Sequence, residues 1–241
     1  MAQQSNPEDQ FAATAPSERP TMMIKIGGLT LRGPAAAIVL LVIVAVLMVL
    51  IVRMHPRTGM WISGGLWIAF IAYWSAAAKN SAAAKNSESR RSRSVHELLL
   101  NCGLLLLFLP VPGLAGHFLP HARSLTLAGL GVQAAFFLLA WWSRRHLGRN
   151  WSGRVRIAEE HELVRSGPYR LVRHPIYTAM LGMSLGTTIV SGQYHSLLGL
   201  LIVAIAYWRK IRIEEAALGE AFGAEYDEYR RKSWALIPVI F

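Results

Sequence analysis

An all-α integral membrane protein is the fold class this sequence predicts, with about six transmembrane helices and a cytoplasmic loop and C-terminal helices that together form a site. Three observations predict it. Hydrophobic residues make up 53% of the 241-residue chain and charged residues only 16%, where a soluble domain carries about a quarter. The apolar residues come in uncharged blocks, and the block at 34–52, PAAAIVLLVIVAVLMVLIV, would extend roughly 28 Å as a helix, about one hydrocarbon core. Finally, 22 of the 25 lysines and arginines fall in alternate segments between blocks, as the positive-inside rule requires when both termini and the two basic loops are cytoplasmic. Lipid offers the backbone no hydrogen-bond partner, so the spans should be helices; blocks this long and non-alternating do not suit a barrel. The net charge of +11 is then an inner surface beside anionic lipid, and no nucleic-acid partner is needed to explain it.

The elements follow in order. Residues 1–33 are mostly polar and read as a disordered cytoplasmic tail. The first span, 34–52, lies too far into the chain and is too long for a typical cleaved signal peptide. The region 34–140 holds the N-terminal transmembrane helices, with further blocks at 60–78, 98–116 and 124–143. Between the second and third, SAAAKNSAAAKNS (75–87) is a six-residue duplication that is expected to extend the preceding helix and to which no function is assigned. Cys102, the only cysteine, lies within an apolar block; it excludes a disulfide framework and a thiolate metal site, and is expected to be a buried small residue. No metal is expected. The block at 175–208 has 34 residues, too many for one ordinary span, and SGQYH (191–195) breaks it into a tight helical hairpin with spans at 175–190 and 196–208.

The chemistry should gather on the cytoplasmic side, in 141–241. The loop ahead of the hairpin ends in RSGPYRLVRHPIYTAM. RSGP reads as a turn, and the centre of the loop, 155–164, alternates loosely and reads as extended. His174 precedes a proline and so is kept out of the helical region, while Pro175 suits the first position of the next helix. His174 therefore sits at a helix N-terminus, where the dipole disfavours imidazolium and the neutral ring can donate and accept. Tyr177 lies in the same first turn. Two readings stay open. Tyr169 and Tyr177 are interfacial aromatics, Arg170 and Arg173 are inside-positive markers and His174 is a cap; or these residues line a ligand site.

Past Trp208 the helix leaves the membrane as RKIRIEEAALGEAF. Ile211, Leu218 and Phe222 share one apolar stripe, and Glu215 falls inside it with Glu214 at its flank. A carboxylate on an inward face needs a partner or a ligand. Lys210 with Glu214 and Arg212 with Glu215 supply local partners; a cationic ligand at the membrane surface is the alternative. Gly223 ends this helix, AEYDEYRRK begins another, and the final WALIPVIF lies back on the bilayer or the bundle.

In this order, GPY, RHP.Y, a helical hairpin, EE and FG.EY..Y resemble the isoprenylcysteine carboxyl methyltransferase family and its phospholipid methyltransferase relatives. The resemblance is strong over 141–241 and extends by layout back to about residue 61. It makes 141–241 the methyltransferase core and implies S-adenosyl-L-methionine as the methyl donor, held between the loop and the C-terminal helix. Carried over residue by residue, His161, Glu162, Leu163 and Val164 would line that cofactor and Tyr169 would pack against it. His174, Pro175, Ile176 and Tyr177 would close over it, and Glu215, with Glu214, would take its polar or cationic part. Arg212, Glu215 and Lys232 would be the catalytic set, with Arg212 and the run 230–232 facing the acceptor. The implied acceptor is an isoprenylcysteine-like or other lipidic carboxylate entering from the bilayer. Two alternatives remain: an amine acceptor, as in a phospholipid N-methyltransferase, or an NADPH-dependent membrane reductase of the sterol type, whose members carry a similar RHP.Y segment.

Overall fold

The computed structural model describes residues 23–26, 29–32, 58–78, 89–148 and 163–238. The chain divides into two units, 1–47 and 48–241. In the first, strands β1 (Met23–Ile26) and β2 (Leu29–Arg32) pair antiparallel, with Met23 opposite Arg32 and Ile26 opposite Leu29. For residues 23–26 and 29–32 this departs from the expected disordered tail, and it is an exception to the all-α expectation. MIKI and LTLR each place alternate apolar residues on one face, and the Gly27-Gly28 pair between them is a hairpin signal. The first predicted span, the lysines of the duplicated segment and residues 155–162 of the loop centre lie outside the described residues.

The second unit is helical: α1 (Thr58–Ala78), α2 (Arg90–Phe108), α3 (Arg123–Leu147), α4 (Pro175–Ser191), α5 (Tyr194–Phe222) and α6 (Ala224–Arg231). α1 and α3 are long and apolar enough to cross a membrane. The third predicted block begins as a helix eight residues early, because Ser89 caps it by accepting a hydrogen bond from the Ser92 N–H at 3.2 Å. It ends at Phe108, short of the predicted 116, where PVPG turns the chain. The hairpin break falls at Gly192, whose φ of +64° ends α4 in the left-handed conformation that glycine adopts without strain.

Small residues bring the helices together. A Cβ on Gly129 would lie 2.7 Å from the Gly186 carbonyl oxygen, and one on Gly186 would lie 2.6 Å from that of Gly129, so α3 and α4 touch backbone to backbone. Gly103 and Gly199 do the same for α2 and α5, with a Cβ on Gly199 meeting the Gly103 oxygen at 2.7 Å. Gly182 admits the ring of Phe136. The GMSLG stretch (182–186) is thus a packing seam. Polar side chains pair inside the bundle: Thr187 Oγ1 accepts from Trp67 Nε1 at 3.0 Å and shares a hydrogen bond with Ser63, and Gln133 Nε2 donates to the Ser63 carbonyl at 3.0 Å while its buried Oε1 has no partner. Large apolar side chains point outward instead, Trp61, Ile68, Leu98, Leu105, Leu201 and Ile205 among them. Cys102 is exposed on the same outward stripe of α2 as Leu98 and Leu105, which corrects its expected burial. A thiol is apolar enough to face an apolar exterior.

Candidate active site at the foot of the hairpin

The site is built where α4 begins and α5 runs past it. RSGPYR folds as a 3-10 turn, Gly167–Arg170, and Gly167 takes φ +60° with the His146 ring against its backbone. Tyr169 is thereby buried. His174 precedes α4 with φ −123° and ψ 58°, outside the helical region as its proline neighbour requires, and Pro175 opens the helix.

α5 carries Glu214 and Glu215 alongside. The His174 ring lies between them, with Nδ1 3.5 Å from Glu214 Oε2 and Nε2 3.4 Å from Glu215 Oε1. Nε2 is buried and its geometry falls short of a hydrogen bond. Arg173 Nε donates to Glu215 Oε1 at 2.8 Å, both side chains being largely buried. Arg230 Nε stands 3.9 Å from the other Glu215 oxygen. Glu214 accepts instead from the Tyr177 hydroxyl at 2.5 Å. The rings of His174, Tyr177 and Tyr207 stack in sequence, at centroid distances of 5.6 and 4.8 Å.

The C-terminal segment completes the arrangement. Trp234 pairs with Val172 as a parallel bridge; Arg173 N–H donates to the Trp234 carbonyl at 2.8 Å and His174 N–H to that of Ala235 at 3.1 Å. Arg173 Nη1 donates to the carbonyls of Ser233 and Arg230. Thr178 Oγ1 donates to the Leu236 carbonyl at 2.6 Å, and the Tyr229 hydroxyl to the Tyr169 carbonyl at 2.6 Å. The tail therefore packs against the bundle, one of the two places the sequence left open for it.

Charge is balanced inside this cluster. Burial pushes the Glu215 carboxyl up, but His174 and Arg173 outweigh it and hold it down at about 2. Burial lowers the His174 pKa, yet the two carboxylates together raise it above its ordinary value. That reverses the direction expected from the helix dipole alone, because two full charges within 3.5 Å outweigh a half charge at a helix end. Tyr169 is raised by burial, then by Tyr229 and Glu214, and its hydroxyl has no hydrogen-bond partner.

Of the residues singled out from the sequence, the structure brings His174, Pro175, Tyr177, Glu214 and Glu215 together and sets Tyr169 within the electrostatic reach of Glu214. Ile176 is half-buried in the same turn, and Leu163 and Val164 are half-buried ahead of the 3-10 turn. His161 and Glu162 lie outside the described residues. Arg212 and Lys232 make their contacts elsewhere: Arg212 sits over the Trp208 ring at 5.7 Å, and Lys232 pairs with Glu228 at 2.5 Å. Glu215 takes Arg173 rather than Arg212 as its arginine partner. Sequence reasoning left Arg173 open between an inside-positive marker and a ligand-site residue, and missed Tyr207, Tyr226, Tyr229 and Ser233 as parts of the cluster. Only the Tyr226–Tyr229 spacing, which puts both rings on one helical face, carried a signal.

Together these features define a helical bundle with an apolar exterior and a buried, charge-balanced cluster at the base of one hairpin. Residues 129–220 match the model of the isoprenylcysteine carboxyl methyltransferase family. It is 34% identical over 96 residues to a probable protein-S-isoprenylcysteine O-methyltransferase of Oryza sativa subsp. indica, covering 39% of this chain and 50% of that one. It is 39% identical over 86 residues to the protein-S-isoprenylcysteine O-methyltransferase of Schizosaccharomyces pombe, covering 34% and 35%. A solved structure of the eukaryotic intramembrane Ras methyltransferase is 22% identical, with a TM-score of 0.46 over 64% of this chain and 54% of that one. The chain spans about half the length of the first of these relatives.

Proposed function

We propose that this protein is an integral membrane methyltransferase that uses S-adenosyl-L-methionine and carboxyl-methylates an isoprenylcysteine-like or other lipidic acceptor. The observation that carries the reading is the meeting of His174, Tyr177, Glu214 and Glu215, from segments about 40 residues apart in sequence, at one end of the hairpin within the matched segment. The residues present fit the donor. The partnerless Tyr169 hydroxyl and the buried His174 Nε2 are polar atoms that a small polar molecule would satisfy, and two carboxylates suit a cation. When bound, this cofactor supplies an electrophilic methyl group.

The chain's own part is binding and alignment. Glu214 and Glu215 attract the positive charge, the stacked His174, Tyr177 and Tyr207 give it an aromatic wall, and the 3-10 turn and the tail exclude water from the cluster. In-line displacement requires the two reacting groups to be pressed close, which is mainly an orientation effect. A carboxylate acceptor needs no base at neutral pH; an amine acceptor would need one, drawn from His174 or a glutamate. The apolar outer surface supports access of a lipidic acceptor from the bilayer. The six-span topology with both termini in the cytoplasm is part of the proposal and rests on the charge alternation.

The test is transfer of labelled methyl groups by purified protein, with a farnesylcysteine analogue and extracted native lipids offered side by side. Label in the analogue supports the carboxylate reading. Label in an amine headgroup moves the protein to the phospholipid branch. Binding of NADPH without S-adenosyl-L-methionine would end both.

A further inference from the structure

The chain's returning tail has two faces. Val172, Ala235 and Leu236 are buried against the bundle, while Leu171, Trp234 and Ile237 are 63%, 44% and 46% exposed. The backbone ties the two sides of this patch together: Trp234 N–H donates to the Leu171 carbonyl at 3.0 Å, and Arg173 N–H to the Trp234 carbonyl at 2.8 Å. Bulky apolar side chains joined in this way and left uncovered mark a contact surface. Its level in the molecule says what covers it. Leu171 stands just ahead of Pro175, where α4 enters its proposed span. Headgroups meet acyl chains at that level, and tryptophan favours it. Charge points the same way. Arg170 and Arg231 adjoin the patch in sequence, are exposed, and among the described residues form no ion pair. On α6, Glu225 is taken by Arg165 and Glu228 by Lys232, which leaves Asp227 against these two arginines. An apolar patch rimmed by surplus arginine suits an anionic lipid surface.

We infer that residues 231–237 form an interfacial strap: Trp234 and Ile237, with Leu171 beside them, seat in the headgroup layer of an anionic leaflet, and the opposite face of the same segment holds the charged cluster together. Arg170 and Arg231 meet the lipid phosphates. Lipid contact and order at the cluster are coupled because one segment serves both. The carbonyls of Ser233, Trp234, Ala235 and Leu236 accept from Arg173 Nη1, Arg173 N–H, His174 N–H and Thr178 Oγ1 in turn. Away from lipid the strap keeps these bonds but leaves three bulky side chains in water. On lipid those side chains are withdrawn from water too, and the strap opens less often. The charge of the leaflet thereby sets how firmly the tail stays over Arg173 and His174. This rests on the membrane reading proposed above.

The experiment places the full chain in nanodiscs of phosphatidylcholine, or of phosphatidylcholine with an equal part of phosphatidylglycerol, with and without bromine high on the acyl chains. The emission of Trp234 is the difference between wild type and Trp234→Phe, which keeps an exposed ring and every backbone hydrogen bond. Lipid bromine should quench that difference by about twofold or more. An unquenched Trp234 with the other tryptophans quenched overturns the inference and leaves the membrane reading standing; if no tryptophan is quenched, the membrane reading itself fails. Hydrogen exchange at the Arg173 and His174 amides then reads the coupling. Adding phosphatidylglycerol should slow it by about threefold in the wild type and leave it unchanged in the double variant Arg170→Gln, Arg231→Gln. Equal slowing in that variant, or none in the wild type, overturns the link between the leaflet's charge and the cluster. Both arginines are exposed, so the variant is expected to fold, and its Trp234 quenching in phosphatidylcholine checks that the strap is in place.

Discussion

His174 sits where two carboxylates compete with burial for control of one proton. Its pKa is raised in the folded protein, so its charged form contributes stability that is fully present below the unfolded value of about 6.5 and is lost as the pH rises through the folded value. Glu215, held at about 2, runs the other way: its contribution is present above the ordinary carboxyl value of 4.5 and is lost as the pH falls towards 2. The difference in melting temperature between wild type and His174→Gln should therefore be largest below about pH 6.5 and shrink as the pH is raised. A constant difference across that range would show that the ring's charge is not engaged. At this scale the sequence was readable where the partners are local. Pro175 fixes the backbone of His174, and the apolar stripe around Glu215 marks it as facing inward. Arg173 stayed open between an inside-positive charge and a site residue, because the groups it holds are 42, 57 and 60 residues away.

Helix pairing depends on glycines whose missing side chains leave room for a neighbouring backbone. Gly186→Ala should therefore destabilise the bundle by about 1–3 kcal/mol, since the added methyl meets a carbonyl that belongs to another helix and cannot step aside. Gly131 makes the contrast. It lies in α3 with nothing within 4 Å of a built Cβ, so alanine there should be neutral or stabilise by up to about 1 kcal/mol. Reversible unfolding of the two variants in mixed micelles checks both, and equal effects would contradict the packing seam. The helices of the hairpin and the break at Gly192 were readable because turn residues interrupt a long apolar run. The extent of α2 was less so: its first turns are basic and polar, and hydropathy alone places its start where the charges stop, eight residues late. The hairpin at β1 and β2 was passed over because the polar composition of its surroundings outweighed a short alternation that was present in the residues.

Viewed whole, the second unit keeps an apolar core around Trp67, Phe70, Leu107, Met183 and Val203 and also turns bulky apolar side chains outward along its helices, a surface unlike that of a water-soluble domain. Cys102 reports on that surface. In native membranes a lipid-soluble maleimide should label it readily and a charged, impermeant one slowly, and the order should reverse or vanish if α2 faces water. Composition and charge alternation made the apolar exterior legible. They did not reveal that the chain's last described residues return to finish the charged cluster, because a pairing between 172 and 234 leaves no periodic trace in either segment. That pairing has a consequence for spacing. Between the glutamates on α5 and the carbonyls at Arg230 and Ser233 lie the end of α5, one glycine and most of α6, which together work as a ruler. Lengthening or shortening that stretch by a single residue would leave every apolar helix where it is and deliver the wrong carbonyl to Arg173. An insertion there would be silent to the spanning helices and felt at the charges.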